Sequence, residues 1–235
     1  MRLVTWNCNG AFRRKYQHLD QFDADVLVIQ ECEDPAQSTP DYRDWAGDYA
    51  WRGHNRNKGI GIFPRKGQSI EVLDWAQEQG GHFLPVKLDG KLTVLGVWTL
   101  GRKASGQYSY IGQFWHYLQL HKHRLGPDTI ICGDLNSNAI WDTNRKTRNH
   151  MISVGELAEV GFQSLYHEFS GEAQGSELKP TFYLHRAETK AYHIDYVFVR
   201  QEALQVASPK ITIGETDQWI TISDHMPIVA DIPLV

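Results

Sequence analysis

Apolar residues fall along this chain in short runs that end abruptly in acids and amides. The first, "RLVTW", passes through a polar turn into "FRRKYQHLDQF", where Phe12, Tyr16, Leu19 and Phe22 recur at helical spacing and predict a helix. "DADVLVIQE" is a continuous apolar run, as expected of a strand covered on both faces, and it closes on Gln30 and Glu31. Between Tyr49 and Trp98 the runs "YAWRG", "GIGIF", "SIEVLDW", "HFLPVKL" and "KLTVLGVW" alternate with Gly, Asn and Asp turns, predicting a meander of antiparallel strands. "YIGQFWHYLQLHKH" then predicts a helix, "DTIICGDLN" a buried strand, and "HMISVGELAEVGF" a helix stopped at Gly161. The tail holds three strand candidates, in "PTFYL", "HIDYVFV" and "MPIVADIPL". No repeat, low-complexity segment or long linker interrupts the series, so one domain over 1–235 is expected, with helices covering packed sheets.

The polar residues at the strand ends carry the candidate chemistry. Residues two apart in an extended chain share a face, so Asp134 and Asn136 of "GDLNSN" reach into one site, as do Asn7 and Asn9 of "TWNCNG". Glu31 follows the second strand, Asp195 opens "DYVFV", and the adjacent Asp224 and His225 precede the last strand. In layered α/β folds ligands gather where loops converge at strand ends, and five such clusters call for one shared pocket.

Composition narrows the setting. The 235 residues carry a formal charge of -4, with no polybasic tail to hold nucleic acid by charge alone. No apolar run approaches the roughly 20 residues of a membrane span, and "MRLVTWNCNG" lacks the features of a secretory signal. A soluble, cytoplasmic protein is expected, without a membrane or stable protein partner. Cys8, Cys32 and Cys132 lack paired spacing and read as small apolar residues in buried strands. His116, His121 and His123 do not form a zinc set.

Taken in order, "TWNCNG", "IQE", "GDLN", "HIDYVFV" and "SDHMPI" resemble the endonuclease/exonuclease/phosphatase superfamily, the group of pancreatic deoxyribonuclease and the abasic-site endonucleases. The resemblance runs from Thr5 to Ile228. It implies an α/β four-layered sandwich, two packed mixed sheets flanked by helices, with a divalent-metal phosphodiesterase or phosphatase site at one end. Phosphodiester hydrolysis needs an activated water, charge neutralisation on the phosphoryl oxygens and help for the departing oxygen. Glu31 and Asp224 offer hard oxygens suited to Mg²⁺ or Mn²⁺, with Asn7 and Asn9 around the ion. Asp134 is expected to orient and deprotonate the water, Asn136 to donate to a phosphoryl oxygen, and His225, oriented by Asp195, to donate to the scissile phosphate.

The chain departs from the family pattern twice. Asn9 stands where many family nucleases have an aspartate, which leaves the site one negative charge poorer. Trp98 stands where a histidine is common, so Tyr108, Tyr110, Arg102 or Lys103 is expected to take over its phosphate contact. Basic residues next to the motifs suggest a positive collar, with Lys103, Tyr108, Arg145 and Arg148 contacting substrate and Trp141 stacking on a base. A nuclease acting on DNA or RNA is the leading expectation. The alternatives are a phosphatase of a smaller ester, such as a phosphoinositide or nucleotide, and a binding protein that has lost catalysis.

Overall fold

The apolar runs become the strands of two six-stranded mixed sheets. The computed structural model describes residues 1–75, 82–101, 108–144, 147–206 and 210–233. In chain order the strands are β1 (Arg2–Asn7), β2 (Val26–Cys32), β3 (Ala50–Asn55), β4 (Lys58–Pro64), β5 (Ile70–Val72), β6 (His82–Leu88), β7 (Leu92–Trp98), β8 (Thr129–Asp134), β9 (Phe162–Ser164), β10 (Phe182–Tyr183), β11 (Ala191–Tyr192), β12 (Asp195–Arg200), β13 (Lys210–Ile213) and β14 (Ile228–Asp231). The helices are α1 (Pro40–Ala46), α2 (Ile111–His121), α3 (His150–Glu159), α4 (Leu165–Ser170), α5 (Gln201–Val206) and α6 (Thr216–Trp219).

One sheet has the order β13-β14-β1-β2-β4-β3 and the other β5-β6-β7-β8-β12-β9. Strand alternation builds the layers. In β7, β8 and β12, Val94, Ile130, Cys132, Val197 and Val199 point into the core that both sheets share, with Val28, Ile60 and Ile62 of the first. Their neighbours Leu95, Val97, Ile131, Tyr196 and Phe198 point the other way, into a second core closed by Phe114 and Leu118 of α2 and Leu157 of α3. On the outer side of the first sheet Phe12, Tyr42 and Phe63 pack ring on ring. Helix, sheet, sheet and helix give the four layers that the resemblance implied.

Three sequence expectations change. The segment expected as one helix is two 3-10 stretches, Phe12–Arg14 and Tyr16–Phe22, entered through Ala11 at φ 52 and broken at Lys15. Its buried face survives, with Phe12 and Leu19 in the core. The expected meander is divided between the sheets: β3 pairs with β4 in one, and β5, β6 and β7 pair in the other. β13 was not anticipated, and "PTFYL" supplies only the two-residue β10, paired with β11. The three cysteines are free and buried, and desolvation raises their thiols, which fits an apolar packing role.

Candidate active site

Strand direction brings the polar clusters to one end. β1 runs parallel to β2, and β7 parallel to β8, while β12 and β14 run antiparallel to β8 and β1. Asn7, Trp98 and Asp134 therefore lie where strands finish, and Asp195 where one starts. His225 precedes β14 and forms an isolated bridge with Phe182.

Asp134 is the buried centre. Gly133 before it has φ 135, and a Cβ there would collide with the carbonyl oxygen of Val97, so this tight exit from β8 requires glycine. Asn136 is left-handed at φ 46, which turns its side chain back onto the acid. Asp134 Oδ1 accepts from the Asn136 backbone at 2.7 Å, and Oδ2 accepts from Asn136 Nδ2 at 2.8 Å and Asn7 Nδ2 at 2.9 Å. Burial raises the Asp134 carboxyl, and Asp195 raises it further against the opposing pull of His225 and the two amides. The second Asn136 amide hydrogen goes to the Thr99 carbonyl at 3.1 Å. Asn7 accepts at Oδ1 from the Asn9 backbone at 3.0 Å, while Asn9 itself is exposed.

Asp195 faces Asp134 across the β8–β12 pair. Its Oδ2 lies 2.9 Å from His225 Nδ1. Thr181 Oγ1 accepts from the Asp195 backbone at 3.1 Å, and the Thr181 carbonyl accepts from Met226 N at 2.7 Å, fixing acid and histidine loop together. Ser223 Oγ accepts from His225 N at 3.1 Å and donates to the Asn7 carbonyl at 2.8 Å. Burial would lower the imidazole, but the charge and hydrogen bond of Asp195 outweigh it and hold His225 at about 9. With Nδ1 turned to the carboxylate, Nε2 is the nitrogen left for a ligand.

Among the described residues Asp134, Asp195 and His225 form a candidate metal cluster, with donor atoms within 4.8 Å of one another. Asp195 Oδ1 is buried and accepts no hydrogen bond from them. Glu31 and Asp224 fall outside that cluster. Glu31 sits on a bulge at φ 62 and its carboxylate is 2.6 Å from Lys58 Nζ. A carboxylate that draws an ammonium and a buried carboxylate oxygen without a donor are both fitted to a hard cation.

Two cavities flank this centre, and both include Asn136 and Tyr110. One, about 440 Å³, is walled by the rings of Trp141, Phe182 and Tyr192. The other, about 360 Å³, is bounded by Glu31, His54, Lys58, His82 and Trp98. Trp141 thus lies beside the centre, with its ring 5.1 Å from Tyr192. Arg148 instead lies over the rings of Tyr108 and Trp115, at 5.1 and 5.9 Å. Lys103 and Arg145, with Arg102, lie outside the described residues. Two basic residues that follow the first motif are engaged within the fold: Arg13 pairs with Glu33, and Lys15 donates to the Cys8 carbonyl at 2.6 Å. The sequence reading missed Phe182, Tyr192, Ser223 and Thr181, and it placed Lys58 in the basic collar without its contact to Glu31. Only the aromatic character of "TFY" and "AYH" hinted at the first two.

No curated protein matches this chain. Among solved structures it is similar to a 3'-5' exonuclease from Neisseria meningitidis, at 16% identity and TM-score 0.74 with both chains fully covered. It is also similar to an AP endonuclease from Archaeoglobus fulgidus, at 16% identity and TM-score 0.67, again over 100% of both chains. The endonuclease domain of the TRAS1 retrotransposon aligns at 15% identity and TM-score 0.66, covering 99% of this chain and 98% of that one. At these identities the likeness establishes the fold. The family model described as Endonuclease/Exonuclease/phosphatase family matches residues 4–225, and the chain belongs to that family.

Proposed function

We propose that this protein is a divalent-metal-dependent phosphodiesterase that hydrolyses the backbone of nucleic acid by direct attack of water. The observation that carries this reading is the pairing of two buried acids in different company. Asp134 is fixed by the amides of Asn7 and Asn136, and Asp195 is bonded to an imidazole held at about 9. One acid is suited to take a proton and the other to keep one on its neighbour.

Asp134 accepts the proton of the attacking water, its raised basicity bringing it towards neutrality. Asn7 and Asn136 aim that carboxylate. Because both Asn136 amide hydrogens are engaged, by Asp134 and Thr99, Asn136 acts as a positioning residue, in place of the phosphoryl donor expected from sequence. His225 donates from Nε2 to a phosphoryl oxygen, and Asp195 keeps the ring protonated and oriented. Glu31 and Asp224 would hold Mg²⁺ or Mn²⁺, with the buried Oδ1 of Asp195 a further candidate oxygen. When bound, that ion neutralises charge on the phosphoryl oxygens and on the departing oxygen.

The flat rings of Trp141, Phe182 and Tyr192 beside Asn136 suit a sugar or base attached to the scissile phosphate. A solved form of the Neisseria protein, at TM-score 0.70 and 17% identity, is described as a 3' phosphatase bound to a product DNA hairpin, which supports nucleic acid here too. The test is an assay of the purified protein on labelled single-stranded, duplex and abasic DNA, RNA, nucleotides and phosphoinositides, with Mg²⁺ or Mn²⁺ and then chelator. Metal-dependent cleavage of a nucleic acid is the expected result. Turnover of a small ester alone would replace the nucleic-acid substrate and leave the site assignment standing.

A further inference from the structure

Two irregularities in the first sheet face each other at the mouth of the site. Between Gln30 and Cys32 the register of β2 against β4 shifts, leaving Glu31 out of the ladder at φ 62. Between Gly53 and Asn55 the register of β3 against β4 shifts as well. Lys58, the first residue of β4, lies next to both shifts, since its neighbour Gly59 pairs with Cys32 and with Gly53. Bulges and left-handed non-glycine residues cost stability and re-aim side chains, and they concentrate at functional sites. Here they bring the ammonium of Lys58 to 2.6 Å from Glu31.

The hairpin that carries Lys58 is braced at its tip. Asp34 N donates to the Arg56 carbonyl at 2.9 Å, and Asn57 N to Asn55 Oδ1 at 3.0 Å. Behind Lys58 the cavity wall is a run of rings: His54 on His82 with centroids 4.4 Å apart, and His82 on Trp98 at 5.2 Å. Burial lowers His82 to about 3, which keeps that ring uncharged, and Lys58 brings its ammonium to within 5.9 Å of the Trp98 centroid. At about 360 Å³, this cavity and the aromatic one of about 440 Å³ are each the size of a small-molecule site, and they meet at Asn136 and Tyr110.

We propose that the cavity formed by His54, Lys58, His82 and Trp98 is a second nucleotide subsite, lying across the scissile bond from Trp141, and that Lys58 binds the phosphate of the nucleotide seated there. A cation taken up by Glu31 competes with Lys58 for the carboxylate, so metal loading frees the ammonium for that phosphate. The subsite rests on the nucleic-acid reading above, and it makes a strand with nucleotides on both sides of the scissile bond the preferred ligand.

The test uses Asp134→Ala protein in Mg²⁺, which removes the base that activates water, and measures binding of a short single-stranded oligonucleotide over a series of salt concentrations. Adding Lys58→Met is expected to weaken binding several-fold and to reduce the slope of log affinity against log salt by about 0.7, the loss of one phosphate contact on a single strand. Adding Lys58→Arg is expected to keep the slope. Mn²⁺ affinity without nucleotide is expected to hold or tighten in Lys58→Met, because a competitor for Glu31 is gone. Unchanged oligonucleotide affinity and slope in Lys58→Met would overturn the subsite and leave Lys58 a counter-ion of Glu31. Absence of oligonucleotide binding by the parent Asp134→Ala protein is a separate failure, that of the nucleic-acid reading, and takes the subsite with it.

Discussion

Asp134 and Asp195 stand opposite each other as partners on adjacent antiparallel strands, the first held by two amides and the second by an imidazole. Two buried acids this close repel, and the fold answers with neutral donors on one side and a proton on the other. Each compensation shifts a titration, and the first three predictions follow from those shifts and from the charge gathered around them.

Stability of the metal-free protein should fall as pH rises. His225 is raised from 6.5 to about 9, so its contribution is complete below 6.5 and is lost as pH passes about 9. Asp134 is raised above its ordinary 3.8, so the fold favours its protonated form and this group also loses stability as pH rises above that value. Thermal melts in chelator from pH 6 to 10 should show a declining midpoint, with the His225 share of the fall lying between 6.5 and about 9. A midpoint that climbs across this range would contradict the assigned charge states.

The rate profile separates the two acids. Asp134 must be ionised to accept a proton and His225 protonated to donate, so activity should rise through a limb above the ordinary carboxylate range and decline near about 9. Asp195→Asn should lower kcat by about 100-fold or more and move the alkaline limb down towards 6.5. NMR titration of His225 in the variant reads the same shift directly. An unmoved alkaline limb would assign it to another group.

Glu31 is expected to be the main metal carboxylate. Glu31→Gln should weaken Mn²⁺ binding by at least about tenfold and abolish the stabilisation that saturating metal gives the wild type, read as the metal-induced shift in melting midpoint. Equal Mn²⁺ affinity in the variant would move the ion to the Asp134, Asp195 and His225 cluster.

A fourth prediction concerns support behind the site. Glu177 has a side chain only 3% exposed and accepts from Asn138 Nδ2 at 3.0 Å and Gly175 N at 2.9 Å, with His167 Nε2 at 3.0 Å. Asn138 Nδ2 also reaches the His193 carbonyl at 2.9 Å, which ties the loop after Asp134 to the approach to β12. Glu177→Ala should cost about 2–3 kcal/mol in urea unfolding, as expected when the shared acceptor of several buried donors is removed. A loss below about 1 kcal/mol would mean the loop carries little of the fold.

The strand ends were legible because an apolar run that breaks into acids and amides leaves a sharp local signal, as in "IICGDLN" and "VLVIQE". The four-layer arrangement came from the resemblance, and the alternation of Ile130, Ile131 and Cys132 between two cores is the pattern that realises it. What the sequence hid depends on pairing between distant strands. Lys58 meets Glu31 only through two register shifts, which no local pattern announces. Phe182 and Tyr192 lie on strands of two residues, too short to read by alternation. Charge marks Arg148 as a candidate substrate contact, and no local pattern announces that its guanidinium lies over Tyr108 and Trp115, within cation–π reach. The 3-10 stretch after β1 kept helical spacing of its apolar residues without an α-helix, since left-handed Asn9 and Ala11 set its entry.

The most direct measurement is single-turnover cleavage of a labelled oligonucleotide in saturating Mg²⁺, comparing wild type with Asp134→Ala at equal substrate occupancy. The account predicts metal-dependent cleavage by the wild type and a rate at least about 100-fold lower in the variant. Cleavage by Asp134→Ala within about threefold of the wild-type rate would contradict it, because water would then be activated elsewhere.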